Sequence, residues 1–249
     1  MIETLPSFLI IPILESLGLK SLGNVLAASN KINNIFNNSA SKILINKKEA
    51  IQKIKEYYAK ETWDNGLAYA SQIKDKEMID LFISKGARDW DMGMYGAAEG
   101  GHQSLVDFFI SKGANNWNWV MNGAAIGGHQ SLVDFFTIKG ADNWDWGMNG
   151  AAEGGHQSLV NFFISKGANN WNSGMEGAAQ GGYQYLVDFF ISKGANDWNW
   201  GMGQAARGGH QSLVEFFISK GANNWNTGIF FATIGNHQSL IKFFRERIR

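Results

Sequence analysis

The sequence predicts an all-α protein: a helical solenoid of about seven 27-residue helix-turn-helix repeats, preceded by a small helical N-terminal segment. Two series of residues predict this fold, because their members recur every 27 residues without an insertion. The histidine series, in which one copy has tyrosine, comprises His102, His129, His156, Tyr183, His210 and His237. The tryptophan series comprises Trp63, Trp90, Trp117, Trp144, Trp171, Trp198 and Trp225.

The first helix of each repeat is short, as the copy at 147–173 illustrates. It is expected over about residues 148–153, where the pair Gly154-Gly155 ends it. Glycine adopts left-handed dihedral angles at little cost and weakens a helix interior, so a glycine pair is a stop signal.

The second helix of the same copy is expected to begin near Gln157 or Ser158, where the serine hydroxyl can cap it. Lys166-Gly167 is typical of a helix end, with a cation in the last turn and glycine after it. Apolar residues at helical spacing form a wide stripe between these ends. They are Leu159, Val160, Phe162 and Phe163. A single hairpin could not bury these side chains, so neighbouring copies are expected to stack and share them.

The stretch "AAEGGHQSLVNFFISKGAN" (151–169) resembles the ankyrin repeat, with its paired alanines, Gly-His, apolar helix and Gly-Ala. The resemblance covers roughly 66–249. The usual Thr-Pro-Leu-His opening is replaced by segments such as "WGMN" (146–149), and the repeat is six residues shorter than the common ~33. Because all the missing residues lie where ankyrin proteins build a β-hairpin, the resemblance implies truncated loops and almost no strand.

Both ends of the array depart from the repeat. "KEAIQKIKEYYAKETWDN" (48–65) aligns in phase as a polar version of the second helix and the following loop, which predicts an N-terminal cap. Residues 228–249 form a truncated last copy, whose charged helix suits a solvated terminal repeat. Its cations are Lys242, Arg245, Arg247 and Arg249.

Residues 1–47 follow another pattern. "LPSFLIIPILESLGLKSLGNVLAASNKINNIFNN" (5–38) resembles an F-box, a helical segment that binds the Skp-type adaptor of cullin-RING ubiquitin ligases. By that resemblance the contact residues are Leu5, Pro6, Ile13, Leu14 and Leu17. Pro12, inside the predicted first helix, departs from the pattern. A plain capping bundle at the solenoid end explains the same leucines, so both interpretations stay open.

Composition excludes several classes of protein. Lys plus Arg and Asp plus Glu number 22 each, so no net charge favours nucleic acid or an anionic membrane. The absence of cysteine excludes disulfides and thiolate zinc sites and fits a reducing compartment. The apolar stretch near the N-terminus is too short to span a bilayer, and no basic segment of a signal peptide precedes it. We expect a cytoplasmic monomer with no nucleic-acid or membrane partner.

No set of residues predicts catalysis, a cofactor or a metal, because almost every polar candidate recurs in several copies. The histidines suggest a metal site, but stacked helices lie about 8–10 Å apart, too far to share an ion with bonds of ~2 Å. We expect each histidine to form a hydrogen bond between repeats instead. "GMGQAARGG" (201–209) resembles a nucleotide-binding loop but has no preceding strand. The protein is therefore not expected to be an enzyme.

The tryptophan series could stack nucleic-acid bases, but no basic groove accompanies it, so burial between repeats is favoured. A series of amide and carboxylate side chains follows the tryptophans. We expect it to tie loop backbones together. Its members are Asn118, Asp145, Asn172, Asn199 and Asn226.

Positions that differ between copies are expected to mark the exposed surface, because copies that stack identically are free to differ only where they do not touch. Two such positions lie four residues apart on one face of the first helix, and a third lies in the preceding loop. By the resemblance, first helices and loops line a concave face that binds a protein target. The predicted partner-binding residues are Tyr95, Glu99, Trp119, Asn122, Ile126, Trp146, Asn149, Glu153, Glu176, Gln180, Trp200, Arg207, Phe230 and Ile234.

Two functions are compatible with these patterns. In the first, 1–47 binds the ubiquitin machinery while the solenoid selects a protein for modification. In the second, the solenoid is a plain scaffold or decoy without a ligase link. Asn-rich, aromatic-rich short repeats behind an F-box-like start are similar in style to ankyrin arrays of large DNA viruses, which would place the protein in the host cell cytoplasm.

Overall fold

The computed structural model describes residues 63–248, and within that range the chain forms fourteen α-helices and no strand. In chain order the helices are α1 (Trp63–Gln72), α2 (Lys76–Lys85), α3 (Trp90–Glu99), α4 (Gln103–Ser111), α5 (Trp117–Ile126), α6 (Gln130–Ile138), α7 (Trp144–Glu153), α8 (Gln157–Lys166), α9 (Trp171–Gly181), α10 (Gln184–Lys193), α11 (Trp198–Gly208), α12 (Gln211–Ser219), α13 (Trp225–Ile234) and α14 (Gln238–Ile248). Odd-numbered helices are the first helices of successive repeats, and even-numbered helices are the second helices. The predicted all-α solenoid of paired helices is confirmed.

Several sequence predictions lie outside the described residues. These are the segment 1–47, with Leu5, Pro6, Ile13, Leu14 and Leu17, most of the cap at 48–65, and Arg249. Residues 63–65, expected to be a loop, form the first turn of α1. No helix between residues 63 and 248 combines the length and apolar character that a membrane crossing requires.

The first helix of each repeat begins at its tryptophan, so the predicted start was wrong by four residues. In the copy considered above, α7 starts at Trp144. Asn143 caps it, because its side chain accepts a hydrogen bond from the backbone N–H of Trp146 at 3.1 Å. An aspartate or asparagine stands before the tryptophan in every repeat from α3 to α13 and caps the helix in the same way. The cap was therefore visible in the sequence.

The ends of the helices follow the glycine signals. Gly155 has a φ of +78°, and Gly167 has a φ of +112°, so both adopt the left-handed region that the stop signals predict. From α4 onward the second helices begin at glutamine, as expected, but the serine does not cap them; α2 begins at Lys76 and is capped by Asp75. The residue before each glutamine is His or Tyr, and its side chain makes no capping hydrogen bond.

The loops are tied together by the residue that follows each tryptophan. The Asp145 Oδ1 atom accepts hydrogen bonds from the backbone N–H groups of Asn169 and Asn170, both at 2.8 Å. Both donors lie in the loop of the next repeat. The same two bonds recur along the array, which confirms the role expected for this series. The equivalent acceptors are Asp64, Asp91, Asn118, Asn172 and Asn199.

The first helices pack directly on one another from repeat to repeat, whereas contacts between successive second helices are sparse. Glycines make this possible. A Cβ atom at Gly96 would overlap the carbonyl oxygen of Ala68, and one at Gly177 would overlap that of Asn149. Because these neighbours are backbone atoms, they cannot give way as a flexible side chain would. The first helices therefore form a closely packed row, which we call the first-helix row.

One continuous apolar core runs through all the repeats. Phe109, Phe136 and Phe163 are completely buried, whereas the preceding Phe108, Phe135 and Phe162 are half-buried against the core. The buried rings lie against the first helix of their own repeat, where a Cβ at Gly93 would be 2.6 Å from the Phe109 ring. The half-buried rings each contact a lysine, as in the Phe162–Lys166 pair at 5.3 Å.

Candidate protein-binding surface

The variable side chains of the first helices come together on one side of the array. Counting each tryptophan as position 1, they occupy positions 3, 6 and 10 of α3 to α13, and we call them the first-helix face. Position 3 was expected in a loop, but the structure places it in the first helical turn. Its residues are Met92, Trp119, Trp146, Ser173, Trp200 and Thr227.

Position 6 contacts position 3 of the next repeat, by ring stacking in one pair and by a side-chain-to-backbone hydrogen bond in two others. The Tyr95 and Trp119 rings stack with centroids 4.9 Å apart. The Asn122 Nδ2 group donates instead to the backbone oxygen of Trp146 at 2.9 Å. Asn149 donates to the backbone oxygen of Ser173 at 2.7 Å. Part of the variation between copies therefore has a structural role.

The assumption that all variable positions are exposed is wrong at Asn122. Its side chain is only 5% exposed, because its amide lies between two helices and bonds to the backbone of the second. Asn149 makes the equivalent bond and is half-buried, and Tyr95 and Trp119 are half-buried where their rings stack. Only the rims of these side chains are available to a partner.

Position 10 carries glutamates that are half-buried and bonded to glutamines of neighbouring repeats. The Gln72 Nε2 group donates to Glu99 Oε1 at 2.7 Å, and Gln180 donates to Glu153. Burial raises the pKa of Glu99 to about 7, and the charge of Glu153 adds to the effect. Burial also raises the pKa of Glu153, although Arg207 and the Gln180 bond oppose the shift.

Burial likewise raises the pKa of the Tyr95 hydroxyl, and the nearby charges of Glu99 and Glu153 act in the same direction. These three side chains therefore form a region where negative charge is poorly tolerated. Ile126 lies half-buried between Glu99 and Glu153 along the row of position-10 residues. A cation or an apolar group suits this region better than an anion.

Four large apolar side chains of the first-helix face are exposed: Trp146 (38%), Trp200 (47%), Phe230 (61%) and Ile234 (53%). Arg207 is exposed as well. The structure brings these side chains to the same side as the remaining predicted residues, but spreads them over three first helices. They form an extended surface rather than a pocket.

The histidines lie beside this face and confirm the role expected for them. The Nε2–H group of His156 donates to the backbone oxygen of Ile126 at 2.9 Å, one repeat earlier. The same bond recurs at His102, His129, His210 and His237. At Tyr183 it is replaced, because the hydroxyl of Tyr185 donates to the Gly155 oxygen at 2.7 Å.

Sequence reasoning missed one unusual position. Position 7 is glycine in α3, α5, α7 and α9, but α11 has Gly203 at position 6 and Gln204 at position 7. The Gln204 Oε1 atom is buried without a hydrogen-bond partner. In α11 the glycine stands at position 6 instead of position 7. This shift was visible when the repeats were compared in the sequence and could have marked the site.

The described residues contain no group of three or more His, Asp or Glu side chains that could hold a metal ion. No family model matches the chain, and no curated protein matches it. What the arrangement offers is an extended aromatic and acidic surface on a rigid row of helices. Such a surface can hold another macromolecule by contact.

Proposed function

We propose that this chain is a protein-interaction module that binds a protein target on its first-helix face. The observation that carries the proposal is the exposure of Trp146, Trp200, Phe230 and Ile234 on one side of the array. Large apolar and aromatic side chains exposed together are typical of surfaces that a partner covers, and tryptophans are frequent anchors of such interfaces. No catalytic step is part of the proposal.

We further propose that the array is an ankyrin-like solenoid with shortened loops, and that the first-helix face is concave. Two features support this. The histidine bond and the Gly-Gly stop occur at the ankyrin-like positions of the repeat. A stack whose first helices approach closely, while its second helices hardly touch, curves toward the first helices. Concave faces of solenoids provide extended binding surfaces.

The finer hypothesis is a substrate-recruiting adaptor, with 1–47 bound to a Skp-type adaptor of a ubiquitin ligase in the host cell cytoplasm. It rests on the sequence alone, namely on Leu5-Pro6 and the leucines that follow. The alternative is a plain scaffold or decoy that uses the same first-helix face and has no link to a ligase.

The first-helix face can be tested by affinity capture with the full chain. Trp146→Ala and Trp200→Ala together are expected to remove captured proteins, because they delete two exposed anchors. Ile138→Ala is the matched control, since Ile138 is 86% exposed but lies on a second helix. Equal capture by the double variant and the control would contradict a binding role for the first-helix face.

The ligase hypothesis needs a separate measurement. Purified Skp-type adaptor is expected to bind the full chain but not the Leu14→Asp variant. The Trp200→Ala variant should bind the adaptor as the unchanged chain does. If the adaptor binds a known F-box protein but not this chain, the scaffold alternative is favoured.

A further inference from the structure

The surface between α9 and α11 differs from the rest of the first-helix face. The Trp200 indole is 47% exposed, and it contacts the buried Phe231 ring edge to face, with centroids 5.2 Å apart. Position 6 of α11, which carries Asn122, Asn149 or a larger residue in other repeats, is Gly203. The contact with Phe231 fixes the tryptophan ring, and its remaining surface faces solvent.

Glu176 is the position-6 residue of the preceding first helix, α9, and position 6 contacts position 3 of the next helix elsewhere in the array. By that equivalence Glu176 lies beside Trp200. Burial raises the pKa of Glu176, and the charge of Asp197, which caps α11, raises it further. This carboxyl group is therefore half-buried next to a second negative charge.

Glu176 also lacks the compensation that the other two glutamates have. Glu99 accepts a hydrogen bond from Gln72, and Glu153 accepts one from Gln180 and is stabilised by the charge of Arg207. Among residues 63–248, no hydrogen bond or ion pair reaches the side chain of Glu176. Its carboxylate has lost water through burial without gaining a donor.

A second unpaired acceptor lies against Glu176. In four other repeats, a Cβ at position 7 would contact the position-6 residue of the preceding helix, as Gly150 would contact Asn122. Gln204 occupies position 7 of α11, so its side chain starts against Glu176. The Gln204 Oε1 atom is buried and has no hydrogen-bond partner. An unsatisfied buried acceptor is uncommon and distinguishes this repeat, but the atom is closed to solvent and to the donors of a partner.

We propose that this surface binds an arginine side chain of the protein target, with the guanidinium over the Trp200 ring and its N–H groups directed to Glu176. The inference rests on the proposed binding function of the first-helix face. Arginine is favoured over lysine because its planar group stacks on an indole while two of its N–H groups pair with one carboxylate. The carboxylates of Glu176 and Asp197 disfavour a nucleic-acid phosphate at the same place.

The proposal is tested by titrating the ¹⁵N-labelled full chain with Nα-acetyl-L-arginine methylamide and following indole N–H signals. Trp200→Phe assigns the Trp200 signal. A saturable shift of that signal is expected, whereas the uncharged citrulline analogue should cause none. Glu176→Gln is expected to weaken binding about two- to five-fold, the effect of one exposed ion pair. Glu215→Gln is the matched control and should leave the affinity unchanged, because Glu215 is exposed on the second helix α12, away from the first-helix face.

Each other outcome overturns the proposal: no saturable shift, an equal response to citrulline, or equal effects of the two glutamate variants. Equal affinity for the lysine analogue would overturn the preference for a guanidinium. The failure of this inference is distinguishable from failure of the proposed function. A target whose capture needs Trp146 but is unaffected by Glu176→Gln leaves the first-helix face as the binding surface and removes only the arginine site.

Discussion

The first-helix row and the second helices differ in how they pack from one repeat to the next. First helices approach until backbone meets backbone, and their variable side chains form pairs such as Tyr95–Trp119. Second helices fill the core with a buried phenylalanine and cover a half-buried one with lysine. The second helices hardly change between copies although their lysines are exposed, whereas the first helices change even at the buried Asn122.

This comparison teaches that variation between copies does not simply measure exposure. The contact between neighbouring first helices is made by ring stacking in one pair and by a side-chain-to-backbone hydrogen bond in the next. Such a pair can vary while remaining structural. A side chain that must fit the same cavity in every repeat, as Phe163 does, cannot vary.

The largest effect is expected at the core of the second helices. Phe163→Ala should lower the free energy of unfolding by about 3–5 kcal/mol, because it removes a fully buried ring. Phe162→Ala should cost about 1–2 kcal/mol, since that ring is only half-buried and covered by Lys166. Urea unfolding measures both. Similar losses of stability would contradict the difference in burial between the two phenylalanines of a repeat.

The next largest effect tests the contact between first helices. Gly177→Ala should destabilise the protein by about 2–3 kcal/mol, because the new Cβ meets the carbonyl of Asn149. Gly167→Ala is the control, since its Cβ would meet nothing within 4 Å and the cost comes only from the φ of +112°. That cost should be about 1 kcal/mol by thermal or urea unfolding. A smaller effect at Gly177 than at Gly167 would contradict the close backbone contact.

A smaller effect is expected in the loops that precede the first helices, where each loop is bonded to the repeat before it. Asp145→Ala should cost about 1–2 kcal/mol, because it removes two hydrogen bonds to backbone N–H groups of the next loop. Asn226→Ala should change stability by less than about 0.5 kcal/mol, because Asn226 is exposed and bonds to no following loop within the described residues. Equal losses in urea unfolding would mean that the bonds between loops contribute little.

The smallest effect is the pH dependence of the first-helix row. The pKa of Glu99 is about 7 in the folded protein and 4.5 in its ordinary state, so the folded state holds this proton more tightly. Stability from this group is complete below about pH 4.5 and is lost as the pH rises through 7. Because solvent screens the half-buried carboxylate, the loss should be only about 1 kcal/mol. Glu99→Gln should flatten this decline in urea unfolding from pH 5 to 8. An unchanged slope would exclude Glu99 as its source.

Much of the fold follows from local signals in the sequence. The 27-residue period, the glycine stops and the second helices were predicted because caps, glycines and apolar spacing act within a few residues. The start of the first helix was missed although Asn143 marks it as a cap, and the following Gly147 lies inside the helix. In the structure that glycine accommodates the Phe163 ring.

The binding surface was only partly predictable. The exposed Trp146 and Trp200 were identified from their variation alone. The burial of Asn122, the bonds of Glu99 and Glu153, and the unpaired Gln204 were not, because each depends on which atoms of the next helix come within reach.

The sequence by itself determined that this chain is a stack of paired helices, since apolar helix faces that recur at a fixed period are buried by stacking neighbouring repeats. Only the tertiary structure decided which variable side chains join neighbouring repeats and which remain for a partner. The reason is distance: first helices that pack at backbone contact bring position 6 onto position 3 of the next helix, and no local pattern encodes that approach.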